Sequence, residues 1–304
     1  MDRARRLIGA QTQPSAPFDG SGITAAILDT GIAMHPDFGE RIAAFRDFVG
    51  LRRFPYDDSG HGTHVAGCLC GDGRCSGGRY AGVAKGCTLV VGKVLDERGD
   101  GSISHMIEGI RWVLSIRERY GIRILNISVS MGETGQPERM RQLMECLDEA
   151  WDAGLFVAVA AGNAGPASGS LSLLGRGSKV VTVGCHDGKD YKGRKHSCER
   201  ISGRGPAGSV LKKPDLVAPG TDIMSCCAFI RKTAGGYRDA YVRKNGTSMS
   251  TPLAAGAAAL CMQKFPRYTN EQVKRRILWS ASDLGEPWSK QGWGMLDVGR
   301  MLRV

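Results

Sequence analysis

Four residues of this sequence have the side-chain types needed to catalyse acyl transfer: Asp29, His61, Asn163 and Ser248. That chemistry needs a nucleophilic hydroxyl, an imidazole that takes its proton and a carboxylate that orients the imidazole. It also needs donors aimed at the developing oxyanion, and an asparagine amide is suitable. Each residue also has an ordinary structural interpretation, as a turn cap, a buried histidine, a turn residue and a helix N-cap respectively. The choice between these interpretations depends on the elements that position the four side chains.

The stretch Gly246–Pro252 (GTSMSTP) predicts that Ser248 lies at the start of a helix. Residues 253–260, which follow it, are small and apolar, as in a buried helix. Pro252 fits the first turn of such a helix, where its missing N–H costs nothing. A hydroxyl at this point meets free backbone N–H groups and the positive end of the helix dipole, which favours a nucleophile that must stabilise an oxyanion.

Apolar runs alternate with helical patterns along the chain, at 23–28, 88–95, 122–130, 155–160 and 180–183. Strands that are apolar throughout and alternate with helices indicate a parallel sheet covered on both faces. The predicted fold class is therefore α/β, in three layers, with a mostly parallel central sheet. Residues 1–21 are predicted to form an N-terminal arm over the surface, and residues 22–304 a single domain. Asp29 and Asn163 fall at the carboxyl ends of predicted strands, where such folds collect their functional groups.

The bulk composition restricts the function class. The net charge is +11 over 304 residues, but the basic residues are dispersed and show no nucleic-acid-binding motif, so no nucleic acid is expected as a partner. No apolar run reaches the roughly 18 residues of a membrane span. The sequence gives no indication of the oligomeric state.

The ten cysteines and the polar N-terminus bear on the cellular compartment. Free thiols in a reducing cytoplasm are the simplest interpretation, and no signal peptide is visible. A secreted location applies instead if the chain is a trimmed mature form. A local disulfide such as Cys70–Cys75, or a metal near Cys68, is an alternative for the first cysteines.

Four motifs resemble those of the subtilases, the subtilisin-like serine proteases. They are AILDTGI at 26–32 with HPD at 35–37, HGTHVAG at 61–67, AAGNAGP at 160–166 and GTSMSTP at 246–252. Their order, Asp, His, Asn, Ser, is that of the family. The resemblance implies a subtilisin-like fold and serine endopeptidase activity.

The resemblance also implies the role of each residue. Ser248 attacks the peptide carbonyl, His61 takes the proton and returns it to the leaving amine, and Asp29 orients His61. Asn163 and the backbone N–H of Ser248 bind the oxyanion. His64, one turn after His61, is the alternative base, and the motif assigns it a structural role. No cofactor is required for this chemistry.

A polypeptide substrate is expected to bind as an added strand between residues 99–102 and 128–130. The predicted contacts are Gly101, Ser102, Ile103, Ser128, Val129 and Ser130. Ile103 and Met106 are expected to line an apolar subsite. Ser130 and Met131 stand where many subtilases have small residues, which predicts a narrower cleft. The segment 170–174, expected near the main specificity pocket, has no acidic residue, which favours an apolar or uncharged residue before the cleaved bond.

Subtilases commonly bind structural calcium through an aspartate after the His-Pro pair and through a glycine-rich loop. Asp37 matches this aspartate and is the predicted ligand. The loop at 71–79 departs from the family, because it carries Arg74 and Arg79 and its only carboxylate is Asp72. Asp37 therefore supports a calcium site, whereas the loop at 71–79 does not.

The predicted function is a serine endopeptidase that forms an acyl-enzyme intermediate. One alternative is a processing protease dedicated to a single precursor or leader peptide. The other is a catalytically silent binding module, which is disfavoured because all four catalytic positions are filled.

Overall fold

The computed structural model describes residues 1–10, 18–131, 135–188, 197–206, 208 and 210–303. A seven-stranded sheet forms its centre, and all neighbouring strands in it are parallel. In chain order the strands are β1 (Thr24–Asp29), β2 (Ile42–Asp47), β3 (Thr88–Lys93), β4 (Ile122–Ile127), β5 (Phe156–Ala160), β6 (Val181–Cys185) and β7 (Leu216–Ala218). Their spatial order is β2-β3-β1-β4-β5-β6-β7.

The central strands are apolar throughout because both faces of the sheet are covered. Every residue of β1, β5 and β6 is buried. The helices are α1 (Asp2–Leu7), α2 (His61–Cys70), α3 (Ile103–Tyr120), α4 (Pro137–Asp152), α5 (Thr247–Lys264), α6 (Asn270–Ser280), α7 (Trp288–Gln291) and α8 (Val298–Met301). Helices α2 and α5 pack against each other and the sheet, and α3 and α4 do the same as a second pair. The predicted three-layer α/β class is confirmed.

Helix α5 is central to this packing. Its residues 249–262 are all buried, and small side chains let it approach β4, β5 and β6 closely. A Cβ atom on Gly256 would lie 2.7 Å from Cβ of Val83, so the helix tolerates no side chain there. The sequence predicted a buried helix at this point because the run is small and apolar on every side.

Two antiparallel ribbons lie outside the main sheet. One pairs β8 (Ile223–Cys226) with β11 (Tyr241–Lys244), and the other pairs β9 (Arg231–Thr233) with β10 (Gly236–Arg238). Strand β11 leads through Asn245 and Gly246 into α5. The β8–β11 ribbon therefore sets where α5 begins. None of the described helices is long and apolar enough to cross a membrane.

Two local expectations concern the N-terminus and α5. Residues 1–10 contain α1 and bury Ala4 and Ile8; residues 11–17 lie outside the described ranges, and the N-terminal arm at 1–21 stays a prediction. Helix α5 begins at Thr247, so Pro252 lies in its second turn and not in its first. The proline still removes only one N–H, the one that would bond the carbonyl of Ser248.

Candidate active site

Asp29 and His61 form a hydrogen-bonded pair. Asp29 is the last residue of β1 and is fully buried, and His61 is the first residue of α2. Nδ1 of His61 lies 2.7 Å from Oδ1 of Asp29, and the N–H of Thr30 donates to the same oxygen at 2.8 Å. A carboxylate oxygen can only accept, so the proton is on Nδ1. Nε2 is then left as the basic nitrogen of a neutral ring.

The environment of His61 favours its protonated form. Burial opposes a charged ring, but the charge of Asp29 and its hydrogen bond outweigh burial and raise the pKa of His61 above its ordinary value. The side chain is 25% exposed, whereas that of Asp29 is 0% exposed. A buried carboxylate behind a partly accessible imidazole suits a base that accepts a proton from outside the core.

Asp57 joins the end of β1 to the start of α2. Its Oδ1 accepts from the hydroxyl of Thr30 at 2.8 Å and from the N–H of Gly60 at 2.7 Å. Its Oδ2 accepts from the N–H of Thr63 at 2.8 Å and from the hydroxyl of Thr63 at 2.6 Å. Asp57 is buried, so these bonds fix the residues that flank Asp29 and His61. Sequence reasoning missed this role, although Asp57 lies four residues before His61.

His64 has a structural environment, as the motif implied. It is fully buried, and Nε2 lies 2.9 Å from the carbonyl oxygen of Ile223 and 3.1 Å from that of Val242. Both partners are acceptors, so Nε2 carries the proton. Burial lowers the pKa of His64 to about 3. The ring is therefore a neutral bridge from α2 to the ribbon of β8 and β11.

The side chain of Asn163 is hydrogen-bonded to the start of α5, the helix that carries Ser248. Ser248 is the second residue of α5 and is half-buried. Oδ1 of Asn163 accepts from the N–H of Thr247 at 3.1 Å and from its hydroxyl at 3.2 Å. These bonds hold the amide so that its Nδ2 group is the end left to donate. The N–H of Ser248 belongs to the first turn, where amides have no partner within the helix.

Gly246 makes this approach sterically feasible. Its backbone has φ 123° and ψ 173°, which L side chains rarely adopt. A Cβ atom at this position would lie 3.1 Å from Nδ2 of Asn163. The backbone conformation therefore favours glycine at this position, and a Cβ atom there would also press on the neighbouring amide.

The two halves of the candidate site lie on the same edge of the sheet. Asp29 ends β1 and Asn163 follows β5, with only β4 between these strands. Parallel strands end at a common edge, and a two-strand separation is roughly 10 Å. Ser248 joins this edge through the bonds of Asn163 to Thr247.

The predicted substrate-binding residues divide into exposed and buried ones. Gly101, Ser102 and Ser130 are exposed, and Val129 is half-buried. Ser102 also caps α3, because its hydroxyl accepts from the N–H of His105 at 3.0 Å. The remaining two predicted contacts, Ser128 and Ile103, are buried.

The apolar subsite expected at Ile103 and Met106 stays a prediction, and both side chains are buried in this structure. Ile103 is 7% exposed and Met106 is 1% exposed, and both belong to the hydrophobic core. They occupy the face of α3 that packs on the sheet, because their spacing of three residues places them on one side of the helix. Ser128 is buried too, and its hydroxyl accepts from Nδ2 of Asn126 at 2.9 Å.

Met131 and Ser172 connect the two segments expected around the main specificity pocket. The N–H of Met131 donates to the hydroxyl of Ser172 at 3.0 Å, and its carbonyl accepts from the N–H of Leu173 at 3.0 Å. A Cβ atom on Gly162 would lie 3.2 Å from Cβ of Ser172 and 3.4 Å from Cβ of Ser130. The space above Gly162 is therefore bordered by small, uncharged side chains.

The structure pairs two of the ten cysteines. Cys185 and Cys198 form a disulfide with their Cα atoms 5.8 Å apart, a usual separation. The interpretation of all cysteines as free thiols is corrected for this pair. Cys70 and Cys75, the disulfide alternative, are both free.

Among the described residues, two groups bring three possible metal-ligand atoms within 4.8 Å of one another. One is Cys185, Asp187 and Cys198, two of which are bonded together as the disulfide. The other is His35, Asp37 and Cys226, and it contains the predicted calcium ligand.

This arrangement is that of a serine hydrolase site at the edge of a parallel α/β sheet. The model of the subtilase family matches residues 20–294 of the chain. The serine protease AprX of Bacillus subtilis (strain 168) is 39% identical over 268 residues, which are 85% of this chain and 61% of that protein. The subtilisin of Bacillus pumilus is 36% identical over 293 residues, which are 96% of this chain and 94% of that protein.

Solved structures give the same result. The structure titled S41 psychrophilic protease superposes with a TM-score of 0.79 at 28% identity, and the match covers 97% of both chains. A cold-adapted subtilisin-like serine proteinase has a TM-score of 0.69 at 30% identity over 94% of this chain. The chain therefore belongs to the subtilase family and is a serine endopeptidase. It spans about three fifths of the length of AprX and most of the length of the Bacillus pumilus subtilisin.

Proposed function

We propose that Ser248, His61 and Asp29 form the catalytic triad of this peptidase. The observation that carries the proposal is the 2.7 Å bond between Nδ1 of His61 and the buried carboxylate of Asp29. It fixes the tautomer in which Nε2 accepts the proton of Ser248 as the hydroxyl attacks the substrate carbonyl. The protonated ring then returns this proton to the leaving amine. Water repeats the cycle on the acyl-enzyme and frees Ser248.

Asn163 and the backbone N–H of Ser248 supply the oxyanion hole in this proposal. Support comes from the bonds that Oδ1 of Asn163 accepts from Thr247, since they orient the amide before substrate binds. Donors that are held in place stabilise the tetrahedral intermediate without reorganising during the reaction. All groups in this mechanism are side chains or amides of the chain itself, so no cofactor takes part in a step.

The substrate is proposed to bind as an extended strand between residues 99–102 and 128–130. The exposed positions Gly101, Ser102 and Ser130 support this, because a strand added at an edge needs accessible backbone. The small, uncharged residues around Gly162 support a preference for an apolar or uncharged side chain before the cleaved bond. Nucleic acid is not proposed as a partner.

A cytoplasmic location is also proposed. It is supported by eight cysteines that are free thiols in the structure, seven of which are buried. The Cys185–Cys198 disulfide is the opposing observation. Rapid alkylation of thiols in freshly lysed cells tests the proposal, because a cytoplasmic chain would yield Cys185 and Cys198 as alkylated thiols, and an intact disulfide in that material would contradict it.

Labelling with a serine-directed covalent probe tests the triad. The wild type should be labelled at Ser248, and Ser248→Ala should not be labelled. A matched control is Ser250→Ala, which removes a buried hydroxyl two residues further along α5 that bonds to the carbonyls of Ala218 and Pro219. Equal labelling of wild type and Ser248→Ala would contradict the nucleophile assignment.

Cleavage profiling on a diverse peptide library tests the specificity. We expect cleavage of many sequences after apolar or uncharged residues. Cleavage confined to one sequence would instead support the dedicated processing protease, and no cleavage by a correctly folded chain would support the silent binding module.

A further inference from the structure

The carboxylate of Asp37, which the family resemblance predicted as a calcium ligand, has no free oxygen, because described residues donate to both of its oxygen atoms. Protein sites give calcium six to eight oxygen ligands at roughly 2.3–2.6 Å. Asp37 is fully buried, and its Oδ1 accepts from the N–H of Cys75 at 3.0 Å. Its Oδ2 accepts from the hydroxyl of Tyr241 at 2.7 Å and from the thiol of Cys226 at 3.7 Å. Both carboxylate oxygens are therefore engaged by neutral donors.

The guanidinium group of Arg41 is hydrogen-bonded to backbone carbonyl groups beside the Asp37 carboxylate. The guanidinium of Arg41 donates to the carbonyl oxygen of Cys70 at 2.8 Å and to that of Cys87 at 3.1 Å. It also donates to the carbonyl oxygen of Asp37. Three carbonyls from separate parts of the chain thus converge on one positive group. This is the arrangement by which backbone oxygens bind a cation, with the cation supplied by a side chain.

The glycine-rich loop offers no free carboxylate either. Asp72 lies 3.3 Å from the guanidinium of Arg74, and its Oδ1 accepts from the N–H of Arg74 at 2.8 Å. The Arg79 guanidinium lies 5.2 Å from the ring centre of Tyr80. The loop carries Arg74 and Arg79 against the single carboxylate of Asp72, so its own side chains give a net charge of +1 (2 − 1), which disfavours a further cation.

A transition metal fits no better than calcium. His35, Asp37 and Cys226 are close enough to be considered as ligands. However, Nδ1 of His35 accepts from the N–H of Asp37 at 3.1 Å, and Nε2 lies 2.8 Å from the carbonyl oxygen of Ala240. Both ring nitrogens are thus used by the backbone, and a metal would have to displace the bonds of all three residues.

We propose that this chain folds without a metal ion at Asp37, because Arg41 and Tyr241 supply the positive charge and the donor that a calcium ion would supply. The substitution links distant parts of the chain. Arg41 holds the residues before β2 to the end of α2 and the start of β3, and Tyr241 holds β11, which leads to Ser248. Tyr241 also packs edge-on against Tyr80, with ring centres 5.0 Å apart.

The experiment is a thermal unfolding series with metal analysis, carried out in the Ser248→Ala background so that self-cleavage does not interfere. This choice also makes the result independent of the proposed catalytic mechanism. We expect the same Tm in excess calcium and in excess chelator, and no bound metal. Tyr241→Phe and Arg41→Met should each lower Tm by about 4 °C, because each leaves buried acceptors without a donor. The control Tyr237→Phe, which removes the hydroxyl of an exposed tyrosine in β10, should leave Tm unchanged.

Three outcomes would overturn the proposal. One is a rise in Tm with calcium that Asp37→Asn abolishes. Another is zinc or cobalt that copurifies or binds and is lost in Cys226→Ser. The third is a Tm in Tyr241→Phe and Arg41→Met equal to that of the control, which would show that neither side chain holds the site.

Discussion

Two buried aspartates each lie beside a histidine, and the two pairs have opposite properties. In the pair of Asp29 and His61, Nδ1 donates to the carboxylate across 2.7 Å. In the pair of Asp37 and His35, the corresponding atoms are 3.7 Å apart, and Nδ1 instead accepts from the backbone N–H of Asp37. The charge of Asp29 overcomes burial and raises the pKa of His61, whereas burial lowers the pKa of His35 despite Asp37.

The difference shows that two properties decide the chemistry of an Asp–His pair: the tautomer of the imidazole and its exposure to an external substrate. His61 and Asp29 come from different elements, so the fold can aim the imidazole at the carboxylate. His35 is only two residues from Asp37, and the local 3₁₀ turn uses its ring as an N-cap. His35 is 1% exposed and cannot serve an external substrate.

Removing each carboxylate charge should separate the pairs most strongly. Asp29→Asn should lower kcat by about 10⁴-fold, because the amide favours the wrong imidazole tautomer. The matched variant Asp37→Asn should lower Tm by several degrees and leave kcat within about twofold, since its carboxylate contacts no catalytic group. Steady-state kinetics and calorimetry on both variants check this. Equal losses of kcat would mean that the two pairs do not differ as described.

The pH profile should report His61 and not His35. Catalysis needs the neutral ring, and Asp29 raises the pKa of His61, so kcat/KM should fall about tenfold per pH unit below a midpoint higher than the ordinary value of roughly 6.5. His35 and His64 have lowered pKa values, so both protonate below this midpoint. Asp29→Asn should move the midpoint to lower pH. A flat profile from about pH 5 to 9 would exclude a histidine base.

Asp57 should act as a positioning residue for the active pair. In Asp57→Asn an NH₂ group would face donors, which loosens the start of α2 and should lower kcat roughly tenfold with little change in KM. The charge of Asp57 also raises the pKa of His61, so the acid limb should move to lower pH. Asp152→Asn, at the exposed end of α4, controls for the charge change. An unchanged acid limb in Asp57→Asn would leave Asp57 with a structural role alone.

The smallest effect concerns His64, one turn from His61. Its pKa is about 3 in the folded chain and roughly 6.5 when unfolded, so only the unfolded chain takes up a proton between these values. The free energy of unfolding should therefore fall as pH drops below about 6.5, by roughly 1.4 kcal/mol per pH unit for this group. Denaturant titrations of Ser248→Ala should show this slope, and His64→Gln, which keeps an N–H donor, should have a shallower one. Parallel slopes would exclude His64 as the titrating group.

The sequence was sufficient to predict the strands that are marked by a local run of apolar residues. The runs that became β1, β3, β4, β5 and β6 are apolar because both faces of the sheet are buried, and that pattern is visible without coordinates. Strand β2 was missed because it lies at the sheet edge and is mostly half-exposed, with Ala43 and Arg46 exposed. The two short antiparallel ribbons, β8 with β11 and β9 with β10, depend on pairing partners that sequence spacing does not reveal.

The candidate active site likewise contains residues that the sequence indicated and residues that it did not. The motifs indicated Asp29, His61, Asn163 and Ser248. The structure shows the bond of His61 to Asp29 and the bond of Asn163 to Thr247, and the triad with Ser248 stays a prediction. Asp57, which positions the residues beside Asp29 and His61, was not found, because its bond to Thr30 joins residues far apart in the sequence. The burial of Ile103 and Met106 was not foreseen, because an apolar residue near a cleft and an apolar residue of the core look identical in a sequence.

Gly246 has a consequence for identifying active members among related sequences. It neither transfers a proton nor binds substrate through a side chain, yet any Cβ atom there would crowd the amide of Asn163. A chain could therefore keep Asp, His and Ser at the three catalytic positions and still lose the donor that stabilises the intermediate. We therefore expect a related chain with a residue other than glycine immediately before the Thr-Ser pair to have lower turnover even when its triad is complete.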